Sequence, residues 1–357
     1  MKKSIVFSLI LLLFTGCQPD PVAEVQRLPD YKIIQTPTYH ELISQIGIEK
    51  LGRAVEKPNA EGALGRNKDG YFHVRFQLRM TALTDFALIS QRQDALAFFI
   101  QSLEFAFAHQ LSEGDFQFVP PDAILNQPDY SPPTEGDLAS GVAFFSSSLG
   151  TSLLSLQSSE WFMTDPELDT IRQAVAQQAS AYTRLLHYLL AKKDILLAYD
   201  AAAPNRLLFD AIAFYSLGTY LAQPEAQQLG LQFLSQAIDQ IDGTEGYFIE
   251  GGGWDSSYNG VAIKLAMEML SILPSHQTER LQTVITAATN WQISRIQSDG
   301  RISQAGNTRV FPGGERFLGM EKQIDYAQTV KALHYFSSFT ASPELVDLGE
   351  KVLAFYQ

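Results

Sequence analysis

Two stretches of the chain gather side chains whose types and spacing can do chemistry. One is Asn205-Arg206-Leu207-Leu208-Phe209-Asp210-Ala211-Ile212-Ala213-Phe214-Tyr215-Ser216-Leu217-Gly218. The other is Gly246-Tyr247-Phe248-Ile249-Glu250-Gly251-Gly252-Gly253-Trp254-Asp255-Ser256-Ser257-Tyr258-Asn259-Gly260. The amide of Asn205 and the guanidinium of Arg206, with Arg309 farther on, are groups that stabilise negative charge developing on a bound carboxylate. Glu250 and Asp255 can orient a neighbouring group or accept hydrogen bonds from hydroxyls, and Trp254 and Tyr247 offer flat faces for ring stacking. Tyr258 places a phenol beside them. Each residue also has an ordinary reading. Asn205 and Asp255 suit helix N-caps, Tyr258 suits a core tyrosine with a satisfied hydroxyl, Gly251 to Gly253 suit a tight turn, and Arg206 with Asp210 suits an ion pair four residues apart on one helix.

Other chemistries lack their signatures. The six histidines, His40, His73, His109, His187, His276 and His334, are scattered along helices and one strand-like segment, and the acids follow no calcium-loop pattern, so neither a metal nor a cofactor is expected. His109, just before a long loop, is the one histidine kept as a reserve site residue. Gly251-Gly252-Gly253 is followed by Trp254 and opens no strand–helix unit, which removes a dinucleotide fingerprint, and no phosphate-binding Gly-Lys-Ser/Thr loop is present. Ser146-Ser147-Ser148 lies in a helical pattern without a nucleophile-elbow frame.

The elements that must hold these residues are mostly helical. Leu42, Ile46, Ile48 and Leu51 form a stripe in a helix near 39–56, which Pro58 ends. Residues 71–80 alternate, with Phe72, Val74, Phe76, Leu78 and Met80 set against His73, Arg75, Gln77 and Arg79, and this predicts a half-buried strand. Helices follow near 86–110, 137–157, 166–198, 205–221, 224–241, 257–272, 276–297, 324–339 and 343–356. Those starting at 137, 205, 257 and 324 are apolar with few charges, whereas 166–198, 224–241 and 276–297 carry polar faces, so inner and outer layers are expected. The loops entering inner helices, 111–136, 242–256 and 298–323, are long and share an opening: Gly114-Asp115-Phe116, Gly246-Tyr247-Phe248 and Gly300-Arg301-Ile302. Long insertions on one face of a helical array form its binding face. Helix pairs of this kind close into a ring or stack as an open superhelix.

Met1-Lys2-Lys3-Ser4, the apolar run Ile5–Phe14 and Thr15-Gly16-Cys17 read as a secretory signal, too short for a mature membrane span. Its end resembles the bacterial lipobox, with Phe14 where that family usually has Leu. The resemblance implies cleavage after residue 16 and a lipid-bearing Cys17, a membrane anchor in the cell envelope; Gln18 in place of Asp points to the outer membrane. Residues 17–37, with Pro19, Pro21, Pro29 and Pro37, read as a tether, and 38–357 as a single domain. The whole chain has 26 Lys and Arg against 39 Asp and Glu, a net charge of −13; loss of Lys2 and Lys3 leaves 24 against 39, or −15. That sign excludes a general nucleic-acid partner.

The two stretches resemble the (α/α) toroid polysaccharide lyases and related helical-barrel carbohydrate-active proteins, over about residues 200–340. In those families an Asn opens an inner helix, and a Gly-rich loop with an acid and an Asp leads into a helix whose first turn carries Tyr. The resemblance implies a mainly α fold, an (α/α) toroid or incomplete helical barrel with a minor N-terminal β element. It also implies a polysaccharide or oligosaccharide partner and elimination beside a uronic acid. Tyr258 would then be base or acid, Asn205 and Arg309 would join it in catalysis, and Arg206, Tyr247, Glu250, Trp254 and Asp255 would bind substrate. The chain departs from the pattern in having Arg206 where the lyases often place His, and in ending within a helix, without the β-sandwich many of them carry. Arg301, Arg309, Arg316 and Lys322, in a loop with Gln304 and Asn307, add local positive charge beside Glu315 and Glu321. A glycoside hydrolase with Glu250 and Asp255 or Asp325 as the acid/base pair, and a glycan-binding lipoprotein without catalysis, are the alternatives.

Overall fold

Helix starts fall where prolines and short acceptor side chains mark them. Pro204 and Pro224 occupy first helical positions, where a missing N–H costs nothing. Thr38 with Glu41 and Thr134 with Asp137 form reciprocal capping boxes. A computed structural model describes residues 30–126, 130–317 and 320–357; the expected signal peptide and Cys17 lie outside the described residues. Among them the helices are α1 (Tyr39–Ile46), α2 (Ile48–Ala54), α3 (Met80–Ser90), α4 (Gln93–Ala108), α5 (Asp122–Leu125), α6 (Glu135–Ser158), α7 (Glu160–Thr164) and α8 (Asp169–Gln177). They continue with α9 (Ala179–Ala191), α10 (Lys193–Tyr199), α11 (Pro204–Tyr220), α12 (Pro224–Asp239), α13 (Ser256–Ile272), α14 (Glu279–Ser294), α15 (Tyr326–Thr340) and α16 (Glu344–Tyr356). The structure is 67% helix and 4% strand, a mainly α fold.

Burial separates two layers. Helices α6, α11, α13 and α15 are buried around most of their circumference, whereas α8, α12, α14 and α16 bury one stripe. Helices α3, α6, α11, α13 and α15 pack each on the next, α15 packs on α1, and α1 packs on α3; α4, α12, α14 and α16 pack against α3, α11, α13 and α15. Small residues set two of the inner contacts: a Cβ on Gly150 of α6 would overlap the Ser216 hydroxyl of α11, and one on Gly260 of α13 would overlap the Thr329 hydroxyl of α15. Helix α6 is long and apolar enough to cross a membrane, but 89% of its most apolar window is buried inside the fold.

The recurring loop openings fold alike. Outer-helix ends pair with the third residue of each triplet, as Gln110 with Phe116, Ile241 with Phe248 and Ile296 with Ile302. Gly114, Gly246 and Gly300 all have positive φ (96°, 87° and 94°), and each rests on the backbone or Cβ of an outer helix, at Arg184, Ala287 and Lys351. A fourth unit, not visible from sequence, is built the same way: Asn59 N–H donates to Ala63 O (3.1 Å), Gly62 has φ 101°, and Gly62 rests on Gln101 of α4. These turns fix where each long loop leaves its helix pair.

Several expectations are corrected. Residues 71–80 are not a strand: only Phe72 pairs, with Val119, and Val74–Arg79 is a 3₁₀ helix running into α3. From Val74 to Met80 the buried residues are Val74, Gln77 and Met80, a spacing of three that matches three residues per turn. The polar Gln77 is inside because its amide is fully used, accepting from Leu64 N (2.6 Å) and donating to Gly62 O and Ser102 O (3.1 Å each). The regular β structure is instead a hairpin of two short strands, β1 (Arg316–Phe317) and β2 (Met320–Glu321), in the last long loop. The helix expected at 86–110 is α3 and α4, broken at Gln91 in the left-handed region (φ 50°). The 39–56 helix breaks at Gly47 (φ 82°), which leaves Ile48 half-exposed. The 166–198 helix is a 3₁₀ turn followed by α8, α9 and α10. Of the stretch read as a tether, the described end lies on the domain: Tyr31 exchanges hydrogen bonds with Asn290 (3.2 Å each), and Ile34 N–H donates to Phe339 O (2.9 Å).

Candidate active site

The glycine-rich loop and the last long loop meet at the first turn of α13. Asp255 caps that helix, Oδ1 accepting from Ser257 and Tyr258 N–H (3.0 and 3.1 Å). Its Oδ2 accepts from Arg309 and Val310 N–H (3.0 and 2.7 Å), so one fully buried carboxylate ties two segments more than fifty residues apart. Asn307 and Thr308 reinforce the joint: Ser256 N–H donates to Asn307 Oδ1 (2.9 Å), and Thr308 Oγ1 donates to Glu250 O (2.6 Å). The N-cap reading of Asp255 therefore holds, while its expected contact with substrate or role as acid/base meets a carboxylate already saturated by backbone.

Tyr258 stands at the centre. Its hydroxyl donates to Glu315 Oε2 (2.8 Å) and receives Lys322 Nζ, whose ammonium also lies 4.1 Å from the ring centroid. The Arg309 guanidinium covers the ring at 4.3 Å, bonds Glu315 through Nη2 and Nε (3.0 Å each), and pairs with the buried Glu250. Burial, outweighing Arg309 and aided by Glu315, raises the Tyr258 pKa well above the ordinary phenol value, so the group is protonated at neutral pH. Burial lowers the Lys322 pKa against the opposing charge of Glu315, with Arg309 and Arg75 acting the same way as burial. Burial alone would raise Glu315, but the Tyr258 hydroxyl, Lys322 and Arg309 together hold its carboxyl below the usual value. Burial raises Glu250 despite Arg309.

Arg206 reaches the same electrostatic neighbourhood from α11. It pairs with Asp200 Oδ1 (3.2 Å) in the preceding turn and not with Asp210, and it lies 5.2 Å from the Tyr199 ring centroid. Arg75, which faces Phe144 at 4.6 Å, has its pKa lowered by burial and then by Arg206, so two guanidiniums are held within range of each other's charge. Asn205 is the second residue of α11 and not its cap, which is Ala203; its buried Oδ1 has no hydrogen-bond partner. The structure thus brings together Glu250, Asp255, Tyr258 and Arg309, and couples Arg206 to them through Glu250 and Arg75.

The predicted stacking residues form a group of their own. Tyr247 and Trp254 meet edge to face (5.8 Å) and both approach Trp291, with Arg295 over Trp254 (4.8 Å) and Trp291 (4.7 Å). Tyr247 is 9% exposed, so this group is a loop-packing core more than an open platform. His109 is structural: it stacks on Phe72 at 3.9 Å, and its Nδ1 lies 2.9 Å from Phe105 O. Among the described residues no cluster of His, Cys, Asp and Glu has metal-site geometry. Sequence reasoning missed the central places of Glu315 and Lys322, which it saw only as loop charges, and that of Arg75, hidden by the strand reading; the run of charges at 315–322 next to Arg309 was the available signal.

Asp210 supplies a test of this electrostatic picture. It is sealed, its carboxyl faces that of Asp200, and burial together with Asp200 raises its pKa well above the ordinary carboxylate value. A folded pKa above the unfolded one means that its contribution to stability is present in acid, below about pH 4, and is lost as pH rises toward the folded value. Asp210→Asn removes that loss. Urea midpoints of variant and parent are expected to separate in the variant's favour between about pH 4 and 8; parallel curves would show that Asp210 titrates normally.

In comparison with known proteins, no family model, curated protein or solved structure matches the chain.

Proposed function

We propose that the domain is an (α/α) toroid that acts on an acidic polysaccharide by β-elimination beside a uronic acid, held at the cell envelope by a lipid on Cys17. The packing of α3, α6, α11, α13, α15 and α1 each on the next, and the four like turns seated on neighbouring helices, support the toroid. The observation that carries the activity is the placement of the Tyr258 hydroxyl between Glu315 and Lys322 beneath Arg309. A phenol kept protonated is an acid, so Tyr258 gives its proton to the leaving glycosidic oxygen. Lys322, in its neutral form, takes the proton from the carbon next to the carboxylate. That C–H electron pair forms the double bond as the carbon–oxygen bond breaks, and Lys322 afterwards returns a proton to Tyr258. Arg75 and Arg206, the latter held by Asp200, with the Asn205 amide, receive the substrate carboxylate and its growing charge; Arg309, bridging Glu250 and Glu315, orders the acids around them.

The test is to incubate the protein with acidic and neutral polysaccharides, following ultraviolet absorbance of an unsaturated uronate alongside new reducing ends. Both signals are expected to rise on an acidic polymer only. Reducing ends without absorbance would replace elimination by hydrolysis, with Glu250 and Asp325, both raised in pKa, as the acid/base pair. Silence across the panel would leave a glycan-binding lipoprotein.

A further inference from the structure

Below the Tyr258 site the inner helices carry charged residues that the proposed chemistry does not use. Helices α13 and α15 pack together and start at the same mouth, for Asp325, the N-cap of α15, has its N–H bonded to Ser257 Oγ (2.9 Å) at the first turn of α13. Six residues beyond Tyr258 is Lys264, and six beyond Asp325 is Lys331, each about 9 Å deeper at 1.5 Å per residue. Four residues further on each helix come Glu268 and Tyr335. Lys264 pairs with Glu268 (2.7 Å), Tyr335 donates to Glu268 (3.4 Å), and Tyr39 of α1 donates to Asp85 of α3 (3.1 Å).

Solvent contact falls with depth along this path. Asp325 is exposed, Lys331 is partly so, the Lys264 side chain keeps 17%, and Glu268, Asp85 and Tyr335 fall to 7%, 2% and 0%. Solvent touches Asp325, although burial by surrounding protein raises its carboxyl pKa. The path is therefore open above, lined at mid-depth by Lys264 and by Lys331, whose ammonium is disfavoured by burial and Lys264 but favoured by Asp85, Glu268 and Asp325, and closed below by two tyrosine–carboxylate contacts.

We propose that this recess is a blind subsite for the terminal acidic unit of a glycan chain, with Lys264 and Lys331 receiving its carboxylate and Asp325 its hydroxyls. This rests on the reading of the cleft as a site for acidic polysaccharide, and it adds that the protein works from chain ends. The closed floor stops the chain after its terminal unit, so products are short and uniform.

Calorimetric titration with trisaccharides ending in glucuronate or galacturonate, and with a neutral glucose-terminated control, tests the subsite apart from the chemistry. An acidic trisaccharide is expected to bind at least ten times more tightly than the control, the surplus being lost in Lys331→Met. Because that change removes the cation that acts most strongly on buried Asp85, Lys264→Met/Glu268→Gln, which removes both members of a pair, is the second variant and is expected to lose the same surplus with an unchanged melting temperature. Equal binding of acidic and neutral probes, or undiminished binding by the second variant, overturns the subsite. Tyr258→Phe is expected to bind as the parent does. If that variant also turned over normally while the lysine variants lost binding, the elimination chemistry would fall and the recess would stand.

Discussion

Tyr258→Phe is expected to reduce turnover of the acidic polymer by about 10² to 10⁴, the range contributed by one positioned acid or base. The loss should fall on kcat, because the hydroxyl does its work as the leaving oxygen departs and the aromatic ring keeps its place beneath Arg309. Folding should change little: Glu315 loses one hydrogen bond but keeps Arg309 and Lys322, so about 1 kcal/mol is at stake. The measurement is the rate of absorbance increase across substrate concentrations, with a melting curve of the same sample. Unchanged kcat in a folded variant removes Tyr258 from the chemistry, and with it the proposed elimination.

The sequence marked helices well where a residue's local chemistry decides the structure. Pro204, Pro224 and the caps at Thr134 and Asp255 need no tertiary context, and the elements they open begin within a residue or two of the expected places. It failed where packing overrides pattern. The alternation of 71–80 concealed a three-residue spacing that appears only once Gln77 is seen to satisfy four groups inside the fold. Gln91 turns into the left-handed region without a glycine to announce it.

The site divides in the same way. Glu250, Asp255, Tyr258 and Arg309 were legible because a glycine-rich loop and a helix start frame three of them and a second long loop offers the fourth. The partner of Arg206 was not. An i,i+4 rule selects Asp210, but the helix turns Asp210 inward and brings Asp200 to the guanidinium from the preceding turn. Trp254 and Tyr247 show the converse error: residue type suggested a sugar platform, whereas the rings pack on each other and on Trp291, a long-range neighbour that no local pattern names.

Asp255→Ala is expected to be the most destabilising single change in the site, by about 3 to 5 kcal/mol. Its carboxylate accepts from four backbone N–H groups, at Ser257, Tyr258, Arg309 and Val310, and none of these has another partner positioned to replace it. Loss of an N-cap acceptor costs about 1 kcal/mol, and each buried donor left unsatisfied costs about 1 to 3, reduced where water can enter. The negative charge also faces the positive end of α13, a further few tenths of a kcal/mol to about 1. Asp255→Asn should recover only part, because one oxygen can serve one pair of donors while the amide nitrogen confronts the other. The functional consequence follows from the same bonds. Arg309 N–H and Val310 N–H are two of the contacts that hold the last long loop on α13, so the alanine variant should lose turnover even below its melting temperature and become cleavable within 298–323 by added protease. Urea unfolding and limited proteolysis check both halves. A loss under about 1 kcal/mol, with the loop still protected, would mean that Asn307, Thr308 and the Glu250–Arg309 pair suffice to hold the joint.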